Sequence, residues 1–353
     1  MSNVLQTFQL GGLTLESGAV IPDLRMSCLT HGTLNADRSN AILSLHGLRG
    51  SRNAQSLWVG EDNAFDPGRY FIIQPDTLGA ATLDPEATTS PTRSGLKMRF
   101  PRFTIRDMVR AEHRLLTAGL GIHKLVAVSG SSMGGITALQ WAVSHPDFMA
   151  TAIALLPQAW THRQGNFIWE AARRAIMLDP KWRDGDYPPD DPPRTGTGIG
   201  LSIQDAFGAS AARFEEEFAS AAAVHAAHGQ SVGQLGASID ARDWIYRTWA
   251  LESHDIGQTP GCDGDRIAAA RLIRARLLLL PNRQDQLLPP EVSGLRELAT
   301  HAPNCRLVEL DDPGGHTGGP RGTQGRPVVI REIRALLRRI GEEQSGSDWP
   351  APR

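Results

Sequence analysis

The apolar run Leu125-Val126-Ala127-Val128 leads almost directly into Gly130-Ser131-Ser132-Met133-Gly134-Gly135, and Ile136 to Val143 then reads as a packed helix. A β-branched strand that turns through Gly-x-Ser-x-Gly into a helix is a nucleophile elbow, in which a strained turn lifts one serine hydroxyl clear of the sheet edge. The glycines are a physical requirement, because the turn needs an unusual backbone conformation and the helix must approach the strand closely. Ser132 is therefore the candidate nucleophile. Taken alone, the motif also describes a glycine-rich turn with no chemistry, so its meaning depends on the residues downstream of it in the chain.

A serine hydroxyl needs a base, and the base needs an acid to orient it; behind an elbow of this kind the chain order is Ser, Asp or Glu, His. Ala275 to Leu280 reads as a buried strand, and Pro281-Asn282-Arg283-Gln284-Asp285-Gln286-Leu287-Leu288-Pro289-Pro290 as the loop leaving its C-terminal end. Open α/β sheets carry their sites at such ends, which makes Asp285 the candidate acid. A further strand, Arg306 to Leu310, runs into Asp311-Asp312-Pro313-Gly314-Gly315-His316-Thr317-Gly318-Gly319, where the glycines free a histidine to fold back over the sheet edge. His316 is the candidate base, chosen from eleven histidines by this order and placement. Asp311 and Asp312 remain alternative acids, or residues that solvate the loop.

Acyl transfer also requires N–H donors aimed at the oxyanion of the tetrahedral intermediate. One is expected from the residue after the nucleophile, Met133, and the other from the loop after an early strand. That strand is Ala41 to Leu45 and its loop is His46-Gly47-Leu48-Arg49-Gly50-Ser51, which assigns the second donor to the Leu48 backbone. His46 reads more readily as a packed ring that shapes the loop than as a catalytic group.

The chain of 353 residues is long for one ordinary domain and fits an α/β architecture with an insertion. With 36 basic against 38 acidic residues and a formal charge of −2, it offers no basic stripe for nucleic acid. Three widely spaced cysteines, Cys28, Cys262 and Cys305, suggest neither a disulfide framework nor a zinc site, and reduced thiols point to the cytoplasm. No metal or cofactor is called for. The start, Met1 to Gln6, lacks a basic segment followed by an apolar one, and no apolar run approaches the about 18 residues of a membrane span, so neither export nor membrane attachment is expected.

Leu13 to Glu16 and Leu24 to Leu29 alternate like paired strands joined by a turn at Gly18 and Pro22, and strands follow at 41–45, 70–74, 125–129, 151–156, 275–280 and 306–310. With helices such as Ile105 to Leu120 between them, the pattern is that of a mostly parallel sheet covered on both faces. No strand is evident from about 158 to 272. Helical pieces at 167–178, 202–207, 211–227 and 243–252, with a Pro- and Gly-rich segment at 184–200, make this interval an inserted helical lid between catalytic segments 1–157 and 273–341. Five of the eight tryptophans lie there (Trp160, Trp169, Trp182, Trp244, Trp249), placed to line an acyl tunnel, to join a dimer, or to pack the lid's own core. The alanine-rich stretch 219–227 suits a helix–helix contact, and 342–353 reads as a disordered tail.

Taken together, these residues resemble the homoserine O-acetyltransferase family of α/β-hydrolase-fold proteins over about residues 12 to 340. The blocks that carry the resemblance are Asn40-Ala41 to His46-Gly47-Leu48, Asp76-Thr77-Leu78-Gly79, Phe100 to Asp107, Ser132-Met133-Gly134-Gly135 and Ala175 to Trp182. The resemblance implies an α/β-hydrolase fold, a triad of Ser132, Asp285 and His316, ping-pong chemistry through an acyl-enzyme with acetyl-CoA as donor, and a homodimer formed through the lid. It also exposes departures. The family's acceptor site has an arginine in Gly-Leu-x-x-Ala-Arg, a tyrosine seven residues on and an aspartate after the catalytic histidine; here Asp205, Ala212 and Thr317 stand at those positions. Ala81-Thr82-Leu83-Asp84-Pro85 replaces the family's Cys-x-Gly-Ser-Thr-Gly-Pro segment. A carboxylate in place of an arginine removes a bidentate partner for the substrate carboxylate and adds repulsion. The expected reaction is thus hydrolysis of small acetyl-type carboxylic esters, with transfer from an acyl-CoA to an alcohol other than homoserine as the alternative. Arg49, Asp205 and Thr317 are the candidate substrate contacts.

Overall fold

The computed structural model describes residues 3–345. Ten strands form in chain order: β1 (Val4–Gln9), β2 (Leu13–Thr14), β3 (Val20–Ile21), β4 (Arg25–His31), β5 (Ala41–Leu45), β6 (Phe71–Pro75), β7 (Leu125–Ser131), β8 (Met149–Leu155), β9 (Arg276–Leu280) and β10 (Cys305–Leu307). Eight of them make one sheet in the order β1-β4-β6-β5-β7-β8-β9-β10, while β2 and β3 pair separately. The β1–β4 and β4–β6 pairings are antiparallel and every later one is parallel. Every residue of β5, β6 and β7 is buried, as expected of parallel strands covered on both faces. Successive residues serve opposite sides: Leu43, Ala154 and Leu279 join one core, and Ile42, Ile153 and Leu278 the other.

The first core is closed by α1 (Ile105–Arg114) and α2 (Met133–Ser144). Between β8 and β9 lie α3 (Arg163–Met177), α4 (Arg194–Ala206), α5 (Ala211–Glu217), α6 (Ala221–Gly236), α7 (Ala241–Glu252) and α8 (Arg266–Leu272), and the described residues there make no strand beyond the single bridge of Trp160 with Asp255. After β9 come α9 (Leu295–His301), α10 (Gly318–Arg321) and α11 (Gly325–Ser345), whose Val329, Ile333 and Leu337 close the second core.

Several local expectations are corrected. The segment around Leu13 pairs with Val20–Ile21 and not with the strand beginning near Leu24, which pairs instead with the unforeseen β1. The last strand stops at Leu307, with Leu310 adding one bridge to Asn282. The helix expected over 211–227 is two, α5 and α6, each opened by a serine N-cap, Ser210 and Ser220. Helix α4 starts at Arg194, inside the stretch whose glycines suggested a loop. Those glycines are contact points: a Cβ at Gly196 or Gly200 would press on the Ala175 or Ala172 carbonyl of α3, and one at Gly198 would overlap the Val232 carbonyl of α6. The disordered tail expected from 342 is corrected as far as Ser345, where α11 ends, and 346–353 lie outside the described residues.

Candidate active site

The elbow takes its shape from backbone crowding. Ser132 sits at φ +57°, ψ −125°, a conformation that side-chain-bearing residues rarely adopt and that costs about 1–3 kcal/mol. It is held there by its N–H donating to Leu155 O at 2.9 Å and its carbonyl accepting from Ile136 N at 2.9 Å. A Cβ at Gly130 would overlap the Gly134 backbone, and one at Gly134 would overlap the Leu45 carbonyl, so strand, helix and neighbouring strand meet with no room for side chains.

The β9 and β10 ends bring the partners to this serine. His316 Nε2 lies 2.7 Å from Ser132 Oγ, and His316 Nδ1 lies 2.7 Å from Asp285 Oδ2. Asp285 is 3 % exposed, and its other oxygen accepts from the backbone N–H groups of Leu287 and Leu288, both at 2.9 Å. These bonds satisfy a buried carboxylate and leave one oxygen for the imidazole. An imidazole that donates Nδ1–H to a carboxylate presents a lone pair at Nε2, which faces the hydroxyl.

The alternative acids are engaged elsewhere. Asp311 is exposed and pairs with Arg283 at 2.5 Å. Asp312 is buried and accepts from the N–H groups of Gly314, Gln324 and Gly325, capping the start of α11. Asn282, which the sequence did not single out, ties the acid loop to the base loop: its Nδ2 donates to Asp312 O at 2.8 Å and Gly315 O at 2.6 Å. The insertion also grips the base loop, since the His316 N–H donates to Gly208 O at 2.8 Å.

The loop after β5 reaches the same point. Gly47 packs on the elbow, where an added Cβ would lie 3.4 Å from Ser132 Cβ. Met133 opens α2, so its N–H has no intrahelical acceptor, and no backbone acceptor among the described residues takes the Leu48 N–H. His46 is 1 % exposed; burial pulls its pKa down to about 3, its Nδ1–H donates to Gly47 O at 2.8 Å, and its Nε2 accepts from Thr77 N at 3.2 Å. It is a neutral, packed ring that shapes the loop.

Of the candidate substrate contacts, Arg49 and Asp205 meet each other. The guanidinium spans both carboxylate oxygens at 2.5 and 3.2 Å, joining the β5 loop to α4. Asp205 is therefore not an unpaired anion. Thr317 is exposed and its hydroxyl donates to Gly314 O at 2.9 Å, and Ala212 is exposed on α5. The insertion's tryptophans mostly pack within it: Trp169 and Trp244 meet edge to face at 6.4 Å, Trp182 lies against Tyr187, and Trp249 and Trp160 carry the guanidiniums of Arg102 and Arg266 at 3.8 and 3.9 Å. Arg247 of α7, fully buried beside Gly47 and Met133, is not foreseen, because nothing in the sequence sets it apart from Arg242 on the same aromatic helix.

A family model described as alpha/beta hydrolase fold matches residues 40–319. The homoserine O-acetyltransferase of Chlorobium luteolum is 36% identical over 345 residues, covering 92% of each chain. The protein belongs to the homoserine O-acetyltransferase family. Among solved structures, the acetylester hydrolase from Corynebacterium glutamicum has a TM-score of 0.85 at 26% identity, over 95% of this chain and 96% of that one. The homoserine O-acetyltransferase from Bacillus anthracis has a TM-score of 0.86 at 24% identity, over 96% and 98%, a likeness of fold.

In this member of the homoserine O-acetyltransferase family, the blocks on which the resemblance rests support the loops and helices about the site. Asp76 anchors the Arg52 backbone N–H at 2.7 Å and the Arg52 guanidinium, and Thr77 fixes His46. Phe100 and Phe103 pack on Tyr246 of α7, whose hydroxyl donates to Phe100 O at 2.6 Å, and Thr104 and Asp107 form a capping box on α1. Asp179 accepts from Gly196 N at 2.8 Å, setting α4 against the end of α3. Among the described residues, no helix is long and apolar enough to cross a membrane. The reaction class is acyl transfer or ester hydrolysis.

Proposed function

We propose that this protein hydrolyses small acetyl-type carboxylic esters through an acyl-enzyme on Ser132. The observation that carries the reading is the continuous hydrogen-bonded line from Asp285 through His316 to Ser132, at 2.7 Å in each step. Ser132 Oγ attacks the ester carbonyl carbon while His316 Nε2 takes its proton, a contribution of about 10² to 10⁴ in rate. Asp285 steadies the imidazolium. The tetrahedral oxyanion is received by the Leu48 and Met133 N–H groups, each worth about 10² to 10³. Collapse breaks the bond to the leaving alcohol, which takes the proton from His316. Water then gives a proton to His316 and attacks the acyl-enzyme, and collapse returns Ser132 and releases the carboxylic acid.

Water is the acceptor on this reading because of the residues that stand at the family's acceptor positions. Asp205 is committed to Arg49, and Ala212 and Thr317 offer no charged group, so an amino-acid alcohol finds no clamp for its carboxylate or its amine at these positions. An acceptor gains rate over bulk water only through binding energy that orients it. The acetylester hydrolase of Corynebacterium glutamicum, alike in fold at 26% identity, favours the same outcome. Homoserine O-acetyltransferases among the relatives favour a second reading, transfer from an acyl-CoA to a different alcohol. Neither route calls on a metal or a bound cofactor.

On this reading the helices from α3 to α7 form the lid over residues 1–157 and 273–341, while α8, which packs on α2 and α9, belongs with the sheet. The three free thiols suit a cytoplasmic enzyme. The test is mutational: Ser132→Ala and His316→Ala each remove most acetate-ester hydrolysis, and the double variant loses little more, because the two act as one unit. Near-parental turnover by Ser132→Ala would refute the reading.

A further inference from the structure

The peptide unit that carries the Leu48 N–H is held by its other end. Three donors converge on the Gly47 carbonyl oxygen: His46 Nδ1 at 2.8 Å, the Gly50 N–H at 3.0 Å and Arg247 Nη2 at 3.1 Å. The same arginine nitrogen lies 3.3 Å from Met133 Sδ. A trans peptide points its C=O and its N–H in opposite directions, so fixing the Gly47 oxygen fixes the direction of the Leu48 N–H. That peptide begins at the residue packed against Ser132.

Arg247 is an expensive way to fill this space. It is 0 % exposed, and its Nε and Nη1 have no partner. Burial lowers its pKa to about 10, with Asp76, Glu112 and Asp243 working the other way, so it is a cation at neutral pH. An apolar side chain of similar volume would pack there without the desolvation cost of a charge. Of the three donors on the Gly47 oxygen, only Arg247 brings that charge, since His46 is neutral. A cation bonded to an amide oxygen polarises the amide and makes its N–H a stronger donor.

We propose that Arg247 is a positioning residue for the oxyanion hole: reaching from α7, it orients and polarises the Gly47–Leu48 peptide so that the Leu48 N–H is pre-aimed at the oxyanion formed on Ser132. The proposal rests on the acyl-enzyme reading above. It makes the lid part of the catalytic apparatus, because a helix of the insertion sets one oxyanion donor. The effect belongs to the transition state, since a substrate carbonyl develops full negative charge only there.

The experiment compares Arg247→Lys and Arg247→Met with the parent enzyme, using p-nitrophenyl acetate as substrate and an alkyl trifluoromethyl ketone as the inhibitor that forms a tetrahedral oxyanion on serine. Rates are divided by the fraction of enzyme that titrates to completion with a fluorophosphonate, so unfolded protein does not count. Arg247→Met lowers kcat per titrated site by about 10², moves KM less than about threefold, and raises the ketone's Ki in step with the loss in kcat/KM. Arg247→Lys, which keeps the charge and one donor, recovers about tenfold of that loss. Normal kcat and Ki per titrated site in both variants would overturn the inference and leave the Ser132 reading intact, as would a loss that vanishes on division by the titrated fraction. Turnover that survives Ser132→Ala would overturn both.

Discussion

Asp285 does more at the residue scale than supply charge, because its acceptor oxygen selects the histidine tautomer. With Oδ2 taking the Nδ1–H at 2.7 Å, the proton is kept off Nε2, the atom that must receive the serine proton. Asp285→Asn turns an amide N–H toward Nδ1 and forces the proton onto Nε2, so kcat for ester hydrolysis falls by about 10⁴ with KM little changed. Steady-state kinetics at neutral pH checks this; a loss below about tenfold would assign the orienting role to another residue. Ser132, His316 and Asp285 were legible in the sequence because each sits where a strand ends and the chain order is characteristic. Asn282 and Arg247 were not, since one acts by bridging two loops distant in sequence and the other by crossing from the insertion to the β5 loop. The carboxylate at 205 is legible as a residue type, but the repulsion expected of it is answered by Arg49, a partner 156 positions away.

Helix pairing shows the same limits at the scale of elements. The glycines of α4 looked like loop punctuation because a sequence does not reveal that α3 and α6 will press on both sides of a helix. β1 escapes the sequence pattern because it is a mostly exposed edge strand whose apolar residues, Val4, Leu5 and Phe8, do not alternate along it. The junction of α1 and α2 holds a testable charge: Glu112 is fully buried, accepts from Trp141 Nε1 at 2.7 Å, and burial pushes its pKa up from 4.5 to about 8. A raised carboxyl pKa means the native state holds its proton more tightly than the unfolded chain does. The stability this contributes is complete below about pH 4.5 and is lost as pH rises through about 8. Glu112→Gln keeps an oxygen for Trp141 and cannot ionise, so its melting temperature gains on the parent's as pH increases across that window. Thermal melts from pH 5 to 8 that keep a constant gap would show Glu112 ionising as easily in the native state as in the unfolded one.

For the whole molecule, the strand-and-helix alternation is enough to place the sheet, its two covered faces and the helical stretch between β8 and β9, because parallel strands buried on both faces leave a strong apolar signature. We infer a two-fold homodimer formed through the insertion, in keeping with the family resemblance and with the frequency of isologous pairs. Light scattering then gives twice the chain's mass of 38.3 kDa, and a monomer mass at every concentration would refute it. On the hydrolytic reading proposed above, the acylation machinery is kept while the clamp for an amino-acid alcohol is gone. The most direct measurement is the partition of the acyl group, with an acetate ester as donor and millimolar homoserine present. Free acetate is the dominant product if Asp205, Ala212 and Thr317 leave homoserine without binding energy. Predominant O-acetylhomoserine would contradict the account and establish homoserine as the acceptor.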